Sequence, residues 1–184
     1  MSKHREQSGR KHWWCFMPLV LLFTSCAPST RMIKPVEGFE IHRYTGKWYE
    51  IARYPHRFEK NLSNVTATYT LNDDGSVGVL NRGFNVVSHK WKSARGKALF
   101  KEDPSLGLLK VSFFGPFYGE YKIIRLDKVD YSYAVITSST FNYLWILSRE
   151  PRMAEDLLAN LMDDIVDMGF DRSRIMMVDH SPVK

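Results

Sequence analysis

Apolar and polar residues alternate along much of the chain between Trp48 and Arg149. Alternation with a period of two is typical of β-strands that bury one face, because successive side chains point to opposite sides of a sheet. Turn residues such as Asp73-Asp74-Gly75 separate most neighbouring runs. The pattern predicts eight short strands, over residues 48–58, 65–71, 77–84, 90–101, 108–114, 120–127, 131–138 and 143–149. Eight strands joined by hairpins fit an antiparallel up-and-down barrel, or a sandwich with the same strand count.

The period changes after Pro151, where apolar residues recur at the spacing of an α-helix. The apolar positions are Met153, Leu157, Leu158, Leu161, Ile165 and Met168. Pro151 suits a first helical turn and Gly169 suits a C-terminal cap. We therefore predict one amphipathic helix over residues 151–168, packed on the β structure, and a short final strand over residues 174–178.

The N-terminus has the composition of an export signal. A basic stretch precedes an uncharged apolar run of roughly a dozen residues, which is too short for a membrane span and ends in Thr24-Ser25-Cys26. The small residues before Cys26 resemble a bacterial lipobox, in which signal peptidase cuts before a cysteine that receives diacylglycerol and then an N-acyl chain. An ordinary signal peptide with an incidental cysteine is the alternative. We predict a lipoprotein signal peptide over residues 1–25, a tether over 26–38 and one domain over 39–184.

Cysteine content and charge exclude several kinds of function. The two cysteines are Cys15 and Cys26, so the predicted domain has neither a disulfide nor a thiol nucleophile, and its core must supply the stability. The formal net charge is +6, of which +3 belongs to residues 1–25. The remaining Lys and Arg residues are scattered, which is typical of solvated strand faces, and we predict no nucleic-acid partner.

Several short blocks resemble the lipocalins. The signature blocks are Gly46-Lys47-Trp48-Tyr49, Val129-Asp130-Tyr131 and Arg149 at the end of the eighth predicted strand. Four longer runs, beginning at Trp48, Asn64, Lys110 and Tyr143, resemble the outer-membrane lipoprotein branch of that family, which is similar to apolipoprotein D. The resemblance covers about residues 39–178 and implies an eight-stranded barrel (a calyx) that holds one small ligand. It also implies that Cys26 carries lipid at the outer membrane, with the periplasmic face favoured.

The resemblance suggests structural roles for the residues of the first and last blocks. We expect Trp48 and Arg149 to meet at the closed end of the barrel, where the guanidinium stacks on the indole. Gly46 is expected to let the chain turn tightly before the first strand. We assign these three residues to the fold rather than to ligand binding.

A wall of small residues indicates a cavity. Ala94, Gly96 and Ala98 lie on one face of the fourth predicted strand, which would leave room for a ligand inside a closed barrel. The same residues would also suit a packed core. Both readings remain open from the residues alone, and the family resemblance favours the cavity.

Aromatic residues supply the other candidate ligand contacts. Phe114, Phe117 and Tyr118 lie at or in a predicted loop after the fifth strand, where they would either line the mouth or cap the barrel by packing. Tyr69 and Tyr143 would either donate a hydroxyl to a ligand carboxylate or serve as ordinary strand residues.

The sequence contains few features that are typical of an enzyme. The histidines are scattered, and neither a serine elbow nor a phosphate-binding loop is present in the sequence. We therefore predict no catalytic residue, no metal and no cofactor. The favoured function is a lipid-anchored carrier of a fatty acid or lysophospholipid, in envelope lipid storage, transport or repair. An enzyme on a lipocalin scaffold and a structural lipoprotein with a filled barrel remain alternatives, and a homodimer is left open.

Overall fold

The alternating segments form a closed antiparallel barrel in the computed structural model, which describes residues 29–183. The strands are β1 (Gly46–Arg53), β2 (Leu62–Leu71), β3 (Val77–Asn85), β4 (Lys90–Phe100), β5 (Leu108–Phe114), β6 (Phe117–Leu126), β7 (Tyr133–Thr137) and β8 (Leu144–Ser148). Each strand pairs with the next, and β1 pairs with both β8 and β2, which closes the barrel. The predicted barrel with a C-terminal helix is confirmed, and the sandwich is wrong.

The antiparallel order defines two ends of the barrel. We refer to the end that contains the connections after β1, β3, β5 and β7 as the open end. The opposite end, the closed end, is covered by the single helical turn α1 (Ile41–Tyr44) and by buried rings of Phe39, Tyr44 and Trp48. The barrel therefore has one filled end and one end through which a ligand can enter.

Some predicted boundaries differ from the structure. β1 ends at Arg53, and the 3-10 turn Arg57–Glu59 follows it within the range predicted as strand. β6 begins at Phe117 because Phe114 pairs with Phe117 across a turn of only two residues, Gly115-Pro116. The predicted aromatic loop is thus the tip of a hairpin.

A second core lies outside the barrel, beneath the C-terminal helix α2 (Glu155–Asp167). The helix buries Leu161, Met162 and Ile165 against residues of β1, β6, β7 and β8. It begins after Pro151 rather than at it, with Ala154 as the residue that precedes the first turn. The short strand β9 (Met176–Met177) then pairs with β1. Within residues 29–183, no helix is both long and apolar enough to cross a membrane.

The segment before α1 follows the outside of the barrel from the open end to the closed end. Ser29 forms a β-bridge with Thr140, which lies in the connection after β7 at the open end. Further along, the Val36 amide donates to the Ile123 carbonyl at 2.9 Å, and Glu37 bridges Leu106 near the closed end. The part of the predicted tether from residue 29 onward therefore packs on the barrel. Cys26 and the predicted signal peptide lie outside the described residues.

Candidate ligand-binding cavity

The barrel encloses a cavity of about 760 Å³ that opens between the four connections of the open end. Inward-facing residues alternate along each strand, so the lining combines side chains from all eight strands of the barrel. Most of the lining is apolar, and typical members are Val65, Ala67, Val77, Val79 and Leu109. The volume lies in the range of about 300–1,000 Å³ that is usual for sites of small molecules. A wholly packed barrel would leave no such space.

The small residues of β4 do not all face empty space. Ala94 and Ala98 line the cavity. Gly96 points to the same side, but a Cβ built on it would lie 2.9 Å from the ring of Phe113 and 2.8 Å from the Ser112 carbonyl oxygen. Phe113 thus occupies the space next to Gly96, and the ring of Phe113 lines the cavity in its place.

Phe114, Phe117 and Tyr118, the three residues predicted to line the mouth or cap the barrel, lie at the mouth. Phe114 and Phe117 face each other at the tip of the β5–β6 hairpin and are 81% and 79% exposed. Tyr118 is 43% exposed, and all three side chains border the cavity. Because Phe114 and Phe117 pack against so little, the hairpin does not cap the barrel by packing. Their role as ligand contacts stays a prediction.

Tyr69 and Tyr143 occupy different depths. Tyr69 is buried near the closed end, where its hydroxyl lies 2.8 Å from the Tyr121 hydroxyl, which in turn lies 2.7 Å from the Tyr44 hydroxyl. Burial raises the pKa of all three phenols, so the trio stays neutral. Tyr143 lies at the mouth and stacks on the His56 ring at 4.6 Å. The structure therefore places Tyr143 at the mouth of the cavity and Tyr69 at the opposite, closed end.

A buried group of charges forms part of the wall, which the sequence analysis did not anticipate. The Arg53 guanidinium lies 2.5 Å from a Glu50 carboxylate oxygen and 3.8 Å from one of Glu59. Glu59 also accepts a hydrogen bond from the Trp145 indole at 3.4 Å. Both carboxyl groups border the cavity. Two acids thus share one guanidinium in an environment of low polarity.

Burial controls the protonation of these acids. It raises the pKa of Glu50 to about 7, against the opposing effect of Arg53. Burial, together with the nearby Glu50 carboxylate, raises the pKa of Glu59 to about 8. A single guanidinium neutralises one carboxylate, and Glu50 is the closer partner of Arg53. We therefore assign the proton to Glu59 at neutral pH, which makes its carboxyl group a hydrogen-bond donor as well as an acceptor.

Two further buried polar groups lack a partner within the protein, one on the wall and one packed against wall residues. The Oδ1 atom of Asn81 and the Nε2 atom of His56 are buried without a hydrogen bond. Burial, and next the positive charge of Arg53, lowers the pKa of His56 to about 4, so the ring is neutral. An unpaired buried acceptor such as Asn81 Oδ1 costs stability until a ligand donor or water reaches it. Asn81 Oδ1, on the wall, can therefore orient the polar part of a bound molecule.

The alternation of the sequence would have allowed two of the four polar residues on or beside the wall to be predicted. Glu50 follows Trp48 by two positions and Asn81 follows Val79 by two, so alternation alone places both polar side chains on the inward face. Arg53 had no such signal, because the register of β1 against β8 shifts between Glu50 and Ala52. Glu59 lies in a 3-10 turn that the pattern did not predict.

At the closed end, Arg149 and Trp48 meet. The guanidinium carbon of Arg149 lies 3.9 Å from the centroid of the buried Trp48 ring. Gly46 adopts φ +92, and a Cβ there would lie 3.4 Å from Arg149 Nη1. The positive φ explains the glycine. None of the three residues lines the cavity.

No cluster of His, Cys, Asp and Glu suited to a metal occurs among residues 29–183. What the geometry does provide is an apolar chamber, closed at one end, with a few polar groups on its wall. An eight-stranded antiparallel barrel of this kind is the architecture of proteins that hold one small hydrophobic ligand.

Comparison with known proteins agrees with this class. The model of the lipocalin-like domain matches residues 39–180. The chain is 44% identical over 158 residues to the outer membrane lipoprotein Blc of Vibrio cholerae serotype O1, with 86% of this chain and 92% of the relative covered. It is 28% identical over 153 residues to apolipoprotein D of Mus musculus, with 79% of each covered. Insecticyanin of the tobacco hornworm Manduca sexta has the same fold, with a TM-score of 0.66 at 20% identity over 81% of this chain and 85% of that one. The chain therefore belongs to the lipocalin-like domain family.

Proposed function

We propose that the protein is a lipid-anchored carrier that holds a single-chain amphiphile, a fatty acid or a lysophospholipid, and serves envelope lipid storage, transport or repair. The observation that carries the proposal is the apolar cavity of about 760 Å³, open at one end only. Each buried CH₂ group of an acyl chain contributes about 0.8 kcal/mol. We propose a binding protein rather than an enzyme, and the cavity argues against a barrel that is merely structural.

We place the acyl chain along the barrel axis, with its end toward the closed end. The hydroxyls of Tyr44, Tyr69 and Tyr121 bond to one another, so these rings offer mainly apolar surface to a ligand. The polar part of the ligand then lies higher, within reach of Glu59 and Asn81. The O–H of a protonated fatty acid, or a glycerol hydroxyl, supplies the donor that Asn81 Oδ1 lacks.

We further propose that Cys26 is the site of lipid attachment, and that the protein is held at the outer membrane on its periplasmic face. The support is the lipobox-like Thr24-Ser25-Cys26 and the name of the Vibrio cholerae relative, an outer membrane lipoprotein. Mass spectrometry of protein purified from membranes tests this. We expect a mature N-terminus at Cys26 with the added mass of acyl chains. A mature chain that starts elsewhere, or starts at Cys26 without acyl mass, would refute the anchor.

The carrier proposal is tested with fatty acids and lysophospholipids of increasing chain length. Affinity should rise with each added CH₂ until the cavity is full and then level off. Ala98→Trp, which fills part of the wall, should shorten the preferred chain while the protein stays folded. Arg95→Trp is the matched control, since Arg95 lies on the same strand but faces outward and is exposed. Native mass spectrometry identifies any lipid that co-purifies.

Two results would contradict the proposal. One is an affinity that does not depend on chain length. The other is a severe loss of stability in Ala98→Trp but not in Arg95→Trp, because added bulk destabilises a filled core by about 1–3 kcal/mol. Either result would mean that the barrel has no room for an acyl chain.

A further inference from the structure

The open end exposes apolar side chains on three separate connections. Phe58 is 65% exposed in the connection after β1, Val87 is 70% exposed after β3, and Phe114 and Phe117 are the exposed pair after β5. Val86 and Trp91 are also exposed at this end. Apolar side chains concentrated at one end of a protein mark a surface that binds a partner or a membrane.

Charge is distributed unequally between the two ends. Exposed basic residues surround the apolar tips of the open end: Arg57, Lys60, Arg82, Lys90 and Lys92. Within the described chain, the connections of the open end expose no Asp or Glu, since Glu59 is buried. The closed end carries acidic residues in its connections: Asp73, Asp74, Glu102, Asp103, Asp127 and Asp130. The barrel is therefore basic at the end that is apolar and acidic at the other.

The N-terminal segment leaves the barrel at the same open end. Thr30 donates its amide to the Ser139 carbonyl at 3.2 Å, and Ser29 bridges Thr140, both in the connection after β7. Cys26 precedes Ser29 by three residues, and three residues span at most about 10 Å. An acyl group on Cys26 would therefore hold the open end, and not the closed end, next to the bilayer.

We propose that the open end docks on an anionic lipid surface, so that the mouth of the cavity faces the bilayer. This inference rests on the proposed anchor at Cys26 and adds the orientation of the barrel to it. Basic residues favour anionic headgroups, and aromatic residues favour the interface between headgroups and acyl chains. A ligand can then pass between bilayer and cavity without crossing water. A second copy docked mouth to mouth would instead bring two basic rims together, which like-charge repulsion disfavours.

The experiment compares two valines at opposite ends of the barrel. Val87→Cys lies at the open end and Val129→Cys lies at the closed end, where Val129 is 77% exposed. Neither residue lines the cavity. Residues 29–183 have no cysteine, and Cys15 leaves with the predicted signal peptide. An acylated Cys26 therefore leaves the introduced thiol as the one that a fluorophore labels. The labelled full-length protein is purified from membranes and reconstituted into phosphatidylethanolamine–phosphatidylglycerol vesicles that contain nitroxide-labelled lipid.

We expect the nitroxide to quench the label at position 87 at least about threefold more strongly than the label at 129. Replacing both Lys60 and Lys90 by Glu in the Val87→Cys background should lower this quenching, and so should high salt, because it screens the attraction to phosphatidylglycerol. Equal quenching at the two positions, or stronger quenching at 129, would overturn the proposal. Self-quenching at 87 that rises with the protein-to-lipid ratio would show that a second copy covers the rim, and would also overturn it.

The same samples separate this inference from the proposed function. Before reconstitution, mass spectrometry of the purified protein reports whether Cys26 is acylated, and native mass spectrometry reports whether the cavity retains an amphiphile. Equal quenching with an acylated chain and a retained amphiphile would refute the orientation alone. Strong quenching at 87 together with an affinity that does not depend on acyl-chain length would refute the carrier and leave the docking surface standing.

Discussion

The Arg149 guanidinium joins three parts of the closed end while it stacks on the Trp48 ring at 3.9 Å. Its Nη2 donates to the Arg43 carbonyl at 2.6 Å, its Nη1 to the Lys47 carbonyl at 3.0 Å and its Nε to the Tyr131 carbonyl at 3.2 Å. One side chain therefore satisfies carbonyl groups from α1, from β1 and from the connection before β7. This arrangement fixes the cover of the barrel to its wall.

Arg149→Ala should lower the free energy of unfolding by about 2–4 kcal/mol, because it removes the stacking on Trp48 and leaves three carbonyl groups without their donor. Arg149→Lys should recover part of this loss, since an ammonium keeps the charge but lacks the planar fork. Chemical denaturation measures the loss. Lipid titration of the folded fraction should give nearly the wild-type affinity, and abolished binding at unchanged stability would reverse the structural assignment.

The change of stability with pH should reflect the protonation of the Glu59 carboxyl group. Because its pKa is raised in the folded state, that state holds a proton which the unfolded chain releases above about pH 4.5. The free energy of unfolding of the wild type should therefore fall as the pH rises from about 4.5 to about 8. Glu59→Gln keeps a neutral group of the same shape and should make the protein more stable than the wild type at pH 8, by roughly 1–2 kcal/mol.

Glu155→Gln is the control for that experiment, since Glu155 is exposed at the start of α2. Denaturation curves from pH 5 to pH 8.5 for the wild type, Glu59→Gln and Glu155→Gln give the slope of the free energy of unfolding against pH. An unchanged slope in Glu59→Gln would mean that Glu59 is already ionised in the folded protein at low pH.

Tyr121→Phe should destabilise the closed end. The Tyr121 hydroxyl is the middle member of the trio, so its removal leaves the hydroxyls of Tyr44 and Tyr69 buried without their partner. We expect a loss of about 1–2 kcal/mol in the free energy of unfolding. Tyr118→Phe removes a hydroxyl from the exposed rim and should change stability by less than about 0.5 kcal/mol. Equal effects of the two substitutions would contradict the trio.

Gly96 and Gly119 form a matched pair for testing how tightly the wall is packed. A Cβ at Gly96 would lie 2.8 Å from a backbone oxygen, whereas one at Gly119 would meet nothing within 4 Å. Gly96→Ala should therefore destabilise the protein by about 1–3 kcal/mol, and Gly119→Ala should be tolerated. Thermal unfolding decides this, and a tolerated Gly96→Ala would show that Phe113 can move away from β4.

Alternation predicted the strands of this barrel, because every strand has one face toward the cavity and one toward solvent or α2. It failed locally where the register of β1 shifts between Glu50 and Ala52. Strict alternation would place Ala52 on the inward face of the barrel with Trp48 and Glu50. Ala52 instead joins the outer core beneath α2, and Arg53 turns inward. A β-bulge of this kind depends on the partner strand and leaves no periodic signal in its own sequence.

The cavity itself was predictable only in part. Small side chains on β4 indicated unfilled space, and Ala94 and Ala98 do line it. Whether such space stays empty depends on residues from other strands, and Phe113 of β5 fills the part beside Gly96. The pairing of Glu50 with Glu59 likewise depends on how distant parts of the chain come together. Glu59 reaches the wall from a 3-10 turn, and the alternation of the sequence does not predict the position of that turn.

The pairing of β1 with β8 has a consequence for how the chain folds. Most strands pair with their neighbours in sequence, so hairpins can form as soon as two strands are available. β1 finds β8 only when nearly the whole domain has emerged, and until then β1 and β7 both present unpaired edges. Pairing across such a separation is slow, because the chain entropy must be lost before the contact forms. The period of greatest exposure to aggregation therefore ends with the arrival of the eighth strand.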